Sequence, residues 1–93
     1  MGQIKLSKKQ IQTKLEKLNG WSLKGGQIRK TVEAEDFVRA MGFVNSVALL
    51  AERQNHHPDI NIRWNKVTLV LSTHSAGGLT SGDFTLAARI DEL

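Results

Sequence analysis

The sequence predicts an α+β fold, one domain over residues 1–93 in the order αββαββα, with a four-stranded antiparallel sheet and its helices packed on one face. Three observations carry this. Apolar residues recur at helical spacing in three segments, they alternate with polar residues in four shorter ones, and those four fall into two pairs joined by turn-forming residues. Neither a repeat nor a linker divides the chain. Two hairpins with helices gathered to one side make a layered antiparallel domain.

The first helix is predicted over 8–19. Ser7 and Gln10 make a capping box, Ile11, Leu15 and Leu18 form one apolar stripe, and Gly20 supplies a stop. Lys8 and Lys9 stand in its first turn with the wrong sign for the helix dipole, at a cost of about 0.3–1 kcal/mol. Segments 21–23 and 28–32 then alternate around Lys24-Gly25-Gly26-Gln27, where two glycines permit a tight hairpin. The acids Glu33, Glu35 and Asp36 precede a long helix over 37–55, where negative charge suits the N-terminus.

That helix is apolar on two sides. Phe37, Met41, Val44, Ala48 and Ala51 form one stripe, and Phe43, Val47 and Leu50 form another displaced around the axis, so one sheet cannot cover both. A second subunit is the expected cover, giving a homodimer or homotetramer. Pro58 bars helix at His57, and Ile60, Ile62 and Trp64 then alternate towards the core before Asn65-Lys66 turns the chain into Val67, Leu69 and Leu71. His74 is expected at the end of that strand, facing away from Leu69 and Leu71. After a loop over 75–78, Thr80 and Asp83 cap a last helix bearing Phe84, Leu86, Ala87 and Ile90.

Bulk properties exclude several chemistries. There is no cysteine, hence no disulfide, thiolate nucleophile or thiolate metal site. No apolar run approaches the roughly 20 residues of a membrane span. Met1-Gly2 is followed by Leu6 where an acylation signal needs Ser or Thr, so a cytoplasmic location is expected, with no membrane partner. The net charge of +4 is uneven: residues 1–30 hold eight Lys or Arg against one acid, and residues 31–93 hold five against eight. Those lysines have no aromatic residues between them to stack bases, so they read as a solvated face and no direct nucleic-acid partner is expected.

All three histidines, His56, His57 and His74, lie between Glu52 and Asp83. His56 falls at the C-terminal end of the long helix, His57 at the break forced by Pro58, and His74 beside a Gly-rich loop, places from which side chains converge at the rim of a sheet. Imidazole titrates close enough to neutrality to give and take protons, as general acid/base chemistry requires. The plain alternative has His57 capping helix carbonyls and His74 solvated. A zinc site is the rival reading, but the i,i+4 helical histidine pair is absent, and adjacent histidines point apart in extended chain.

The pattern Glu52-x3-His56-His57-Pro58-x5-Trp64-x9-His74-x8-Asp83 resembles the motif of the pterin-4a-carbinolamine dehydratases, also called 4a-hydroxytetrahydrobiopterin dehydratases. Asn65-Lys66-Val67 and Leu71-Ser72-Thr73-His74 are similar to that family's second hairpin. The resemblance implies a lyase that removes water from 4a-hydroxytetrahydrobiopterin to give quinonoid dihydropterin, recycling tetrahydrobiopterin without a metal or organic cofactor. It places His56, His57 and His74 around a pterin, with His56 and His74 as the proton-transfer pair and His57 orienting the ring. Glu52 is then expected to fix the tautomer of His56 from one turn back, and Asn55, Pro58 and Asp83 are expected, with it, to bind substrate or support the residues that do. Two positions depart from the motif: Asn55 stands where relatives often carry an acid, and Gly82 where they often carry a basic residue. Members form dimers or tetramers, and animal members also act as transcriptional coactivators, so a protein-interaction module working through the long helix is the alternative function.

Overall fold

The computed structural model describes residues 3–93; Met1 and Gly2, on which the acylation argument drew, lie outside the described residues. The elements are α1 (Lys8–Leu15), β1 (Ser22–Lys24), β2 (Gln27–Glu33), α2 (Phe37–Gln54), β3 (Asp59–Arg63), β4 (Lys66–Leu71), a short 3₁₀ turn (His74–Ala76) and α3 (Ser81–Asp91). All pairings are antiparallel, in the spatial order β1-β2-β4-β3.

Register sorts the sheet into two faces. Ile28 opposes Leu71, Lys30 opposes Leu69, and Val32 opposes Val67, while Ile60 and Ile62 of β3 meet Leu69 and Val67 from the other side. Side chains alternate along a strand, so these share one face, and the other carries Arg29, Thr31, Asn61 and Thr68. The core lies on the first face. Ile28, Val67, Leu69 and Leu71 are fully buried there, packed in one core with the buried Ala40, Val47 and Ala51 of α2 and Phe84, Leu86, Ala87 and Ile90 of α3.

The capping box of α1 is present, with the Gln10 amide donating to Ser7 Oγ at 3.2 Å and the Ser7 amide donating to Gln10 Oε1 at 2.8 Å. The helix nevertheless ends at Leu15, four residues before its predicted end at Asn19. Lys17 and Leu18 donate to Lys14 and Leu15 in i→i−3 bonds, a tightening common in last turns. Leu18 still packs against the core from this turn. In α2, Asp36 caps the N-terminus by accepting the Arg39 amide at 2.8 Å. The sheet takes Ala40, Val47 and Ala51, residues from neither predicted stripe alone, and Val38 and Leu49 remain 78% and 73% exposed.

Alternation directs Ile60, Ile62 and Trp64 towards the core, and the structure leaves all three exposed, Ile60 and Ile62 at 37% each on the edge strand β3. Trp64 is 69% exposed, because the Arg63–Lys66 pair closes the hairpin around Trp64 and Asn65, and a turn residue does not follow the strand's period. Its φ of +55° is left-handed. Asn65 is buried instead, donating from Nδ2 to the Ala34 carbonyl at 2.9 Å.

Asp91 ties the last helix to the first hairpin. Its carboxylate accepts from the Asn19 amide at 3.0 Å, Trp21 Nε1 at 2.9 Å and Lys30 Nζ at 2.8 Å. Burial alone pushes this carboxyl upward, but the Lys30 hydrogen bond, then those of Asn19 and Trp21 and the Lys30 charge, outweigh it and hold the group below its ordinary value of 3.8. Among the described residues, no helix is long and apolar enough to cross a membrane.

Candidate active site

The site begins where α2 ends. Asn55 adopts the left-handed conformation, φ 53° and ψ 47°, which Asn tolerates better than most residues and which commonly terminates helices. Its amide reaches the Glu52 carbonyl at 3.2 Å, and the His56 amide reaches back to Ala51 at 3.0 Å. At Asn55 the main chain therefore makes the helix cap. This one-residue reversal separates the adjacent histidines: the ring of His56 turns inward to 8% exposure, and that of His57 stays outside.

His56 Nε2 lies 2.6 Å from Asp83 Oδ1, and Asp83 is fully buried. The other carboxylate oxygen of Asp83 accepts from Thr73 Oγ1 at 2.8 Å and from the Thr80 amide at 2.9 Å, while the two threonine hydroxyls bond each other at 2.9 Å. An ionised carboxylate only accepts. With both Asp83 oxygens engaged, the proton of neutral His56 belongs on Nε2, and the Nδ1 lone pair is left for a ligand. Asp83 thus does two jobs, closing the cap of α3 at Thr80 and fixing the tautomer of His56.

The sequence assigned that second task to Glu52. In the structure Glu52 Oε2 bonds His57 Nε2, and both side chains are solvent-facing. The reason is geometric: an i,i+4 relation holds only along a helix, and the left-handed Asn55 removes His56 from the helical face. His57 comes round to Glu52 in its place.

His74 lies beyond the end of β4, which stops at Leu71. The amides of Thr73 and Gly78 exchange bonds at 3.0 and 3.3 Å, closing a small loop in which His74 opens the 3₁₀ turn, exposed, and Gly77 takes φ +76°. Its neighbour Thr73 holds Asp83. So His56, Asp83, Thr73 and Thr80 meet directly and His57 and Glu52 meet directly, whereas His74 follows Thr73 in the chain and its side chain bonds neither group.

Sequence reasoning missed Thr73 and Gln54. Thr73 occupies an ordinary strand-exit position, and nothing in its spacing marks it. Gln54 Nε2 donates to the Gly82 carbonyl at 2.8 Å. At Gly82 itself a Cβ would stand 3.6 Å from His56 Nδ1, so the missing side chain leaves the free ring nitrogen uncovered on that side. Pro58 is half-buried and leads into β3. Among the described residues, no group of three or more His, Cys, Asp or Glu side chains could hold a metal ion. A cleft of about 410 Å³ between α1 and α3 is lined by Lys14, Leu18, Phe84 and Arg89, apart from the histidines.

Residues 4–93 match the family model for pterin 4 alpha carbinolamine dehydratase. A relative from Roseiflexus castenholzii, provisionally named a pterin-4-alpha-carbinolamine dehydratase, is 56% identical over 88 residues, covering 95% of each chain. A second from Nocardia farcinica, named in the same way, is 56% identical over 88 residues, covering 95% of this chain and 93% of its own. The crystal structure of a transcriptional coactivator/pterin dehydratase from Brucella melitensis superposes with a TM-score of 0.90 at 32% identity, covering 95% of this chain and 96% of that one.

Proposed function

Because this chain belongs to the pterin 4 alpha carbinolamine dehydratase family, we propose that it removes water from 4a-hydroxytetrahydrobiopterin to give quinonoid dihydropterin, in the recycling of tetrahydrobiopterin. The observation that carries this reading is the pair of carboxylate-held imidazoles, His56 on Asp83 and His57 on Glu52, with His74 on the turn that follows Thr73. Dehydration is an elimination. The C4a–O bond breaks as the hydroxyl takes a proton and leaves as water, N5 gives up its proton, and the electron pair closes the C4a=N5 double bond. One acid and one base suffice, and the net proton count is unchanged.

Proton transfer requires contact with the reacting atoms, and exposure distributes the roles. His57 and His74 are the exposed rings, so they serve as the acid/base pair. His56, pinned by Asp83, binds and orients the pterin through Nδ1. This exchanges the parts that the sequence reading gave His56 and His57, and burial is the reason. Each positioned acid or base supplies about 10²- to 10⁴-fold.

The test is stopped-flow dehydration of freshly generated 4a-hydroxytetrahydrobiopterin. Wild type accelerates the spontaneous reaction, and His74→Ala lowers kcat at least about a hundredfold with an unchanged circular dichroism spectrum. Near-normal turnover by His74→Ala would remove His74 from the chemistry, and no acceleration by wild type would end the dehydratase reading.

A further inference from the structure

Two side chains of the α2 terminus grip two consecutive residues of α3. Gln54 Nε2 bonds the Gly82 carbonyl at 2.8 Å, and His56 Nε2 bonds Asp83 Oδ1 at 2.6 Å, on either side of the left-handed Asn55. The Gln54 amide orientation is determined by its partner, since only Nε2 can donate to a carbonyl. Its other end is unusual: Oε1 is buried and has no hydrogen-bond partner. An orphaned buried acceptor opposes folding, and an apolar residue of equal length would avoid it. Stability is therefore a poor account of Gln54, while geometry offers a better one.

The ring of His56 has one link to α3, a single bond to a carboxylate. One bond fixes a distance but leaves the approach of the two elements free to vary. The Gln54 bond to the preceding residue of α3 supplies a second point, and two points on adjacent residues set how the first turn of α3 lies against the end of α2. Gly82 has no side chain to fill the space beside His56 Nδ1 or to prop the helices apart, so the Gln54 bond is the brace at this position.

We propose that Gln54 is a positioning residue: by holding Gly82 it sets the geometry in which Asp83 presents His56 Nδ1 to the pterin. The proposal rests on the dehydratase reading for its kinetic consequence but not for its structural one. The experiment uses Gln54→Leu, with Gln54→Met as a second apolar variant should the first fold poorly. Thermal unfolding, steady-state kinetics and the ¹⁵N–¹H correlations of the His56 ring are measured for each.

A purely structural role would lower the melting temperature and leave the ring unchanged. Positioning predicts the reverse: a melting temperature equal to or above that of wild type, a weakened or broadened Nε2–H signal of His56, and a KM raised about tenfold with kcat within about twofold. Unchanged ring signals and unchanged KM in a folded variant would overturn the proposal, as would a loss of stability with a wild-type ring. Were wild type inactive on the pterin, the dehydratase reading would fall, and the ring signals would still decide the role of Gln54.

Discussion

Replacing Asp83 with Asn tests the central joint of the site, because it changes one atom of a group that the structure surrounds completely. The carboxylate accepts from His56, Thr73 and the Thr80 amide with no exposed surface. An amide in the same place has one accepting oxygen and one donating nitrogen. If the oxygen stays with Thr73 and Thr80, the amide nitrogen faces His56 Nε2, two donors meet, and the ring must move its proton to Nδ1. If the amide turns over, Thr73 and the Thr80 amide lose their acceptor instead. Either way a charge-assisted bond is lost, worth about 1.5–3 kcal/mol net, along with about 0.3–1 kcal/mol from an acid in the first turn of α3. The expected destabilisation is therefore about 2–4 kcal/mol, and in a domain of this size a melting temperature lower by on the order of 10–20 °C. Urea unfolding gives the energy, and long-range ¹⁵N–¹H correlations give the tautomer of His56. Wild type is expected to carry the proton on Nε2, and the variant to carry it on Nδ1 or to lose the bonds to Thr73 and Thr80. A wild-type ring protonated on Nδ1 would refute the reasoning, as would Asp83→Asn with unchanged stability.

Two further outcomes follow from features outside the site. Because the folded-state carboxyl of Asp91 lies below 3.8, the folded protein binds fewer protons there than the unfolded chain. Its contribution is complete above that ordinary value and disappears as pH falls through the lower folded one. Asp91→Asn is therefore expected to be less stable than wild type at neutral pH and to converge with it in acid; a stability gap independent of pH by urea titration would contradict this. At Trp64, a left-handed non-glycine residue costs about 1–2 kcal/mol, against about 0.5–1 kcal/mol of extra unfolded-chain entropy for Gly. Trp64→Gly is expected to raise the unfolding free energy by about 0.5–1 kcal/mol, followed by the fluorescence of Trp21. A loss of more than about 1 kcal/mol would reveal that the exposed indole makes a native contact.

Local chemistry made the order of elements readable. Ser7 with Gln10 and Thr80 with Asp83 are caps whose partners sit three residues apart, and the alternation of Val67, Leu69 and Leu71 is a property of a single strand. Each such signal is complete within a few residues. Trp64 was misread because alternation does not announce where a strand gives way to a turn, and the early end of α1 depends on a last turn that the apolar spacing of Leu18 conceals. At the site, spacing marked the three histidines and both acids as one candidate group, but it paired Glu52 with the wrong ring. Pairing across α2, β4 and α3 depends on which side chains the packed elements bring face to face, and no local period encodes that.

Asn55 shows how one backbone conformation arranges the neighbouring side chains. A residue at the end of α2 must turn the chain out of the helix, and the left-handed region that does this favours Asn among side-chain-bearing residues. Had the helix continued through 55, His56 would sit one turn from Glu52 and away from Asp83, and His57 would have no carboxylate at hand. The turn creates two histidine–carboxylate pairs from neighbouring residues, one buried and one exposed. The two rings stand in different surroundings: His56 is held in the interior by a fully buried carboxylate, and His57 is held at the surface by an exposed one. The arrangement of both pairs thus starts from the backbone conformation of a single residue, Asn55.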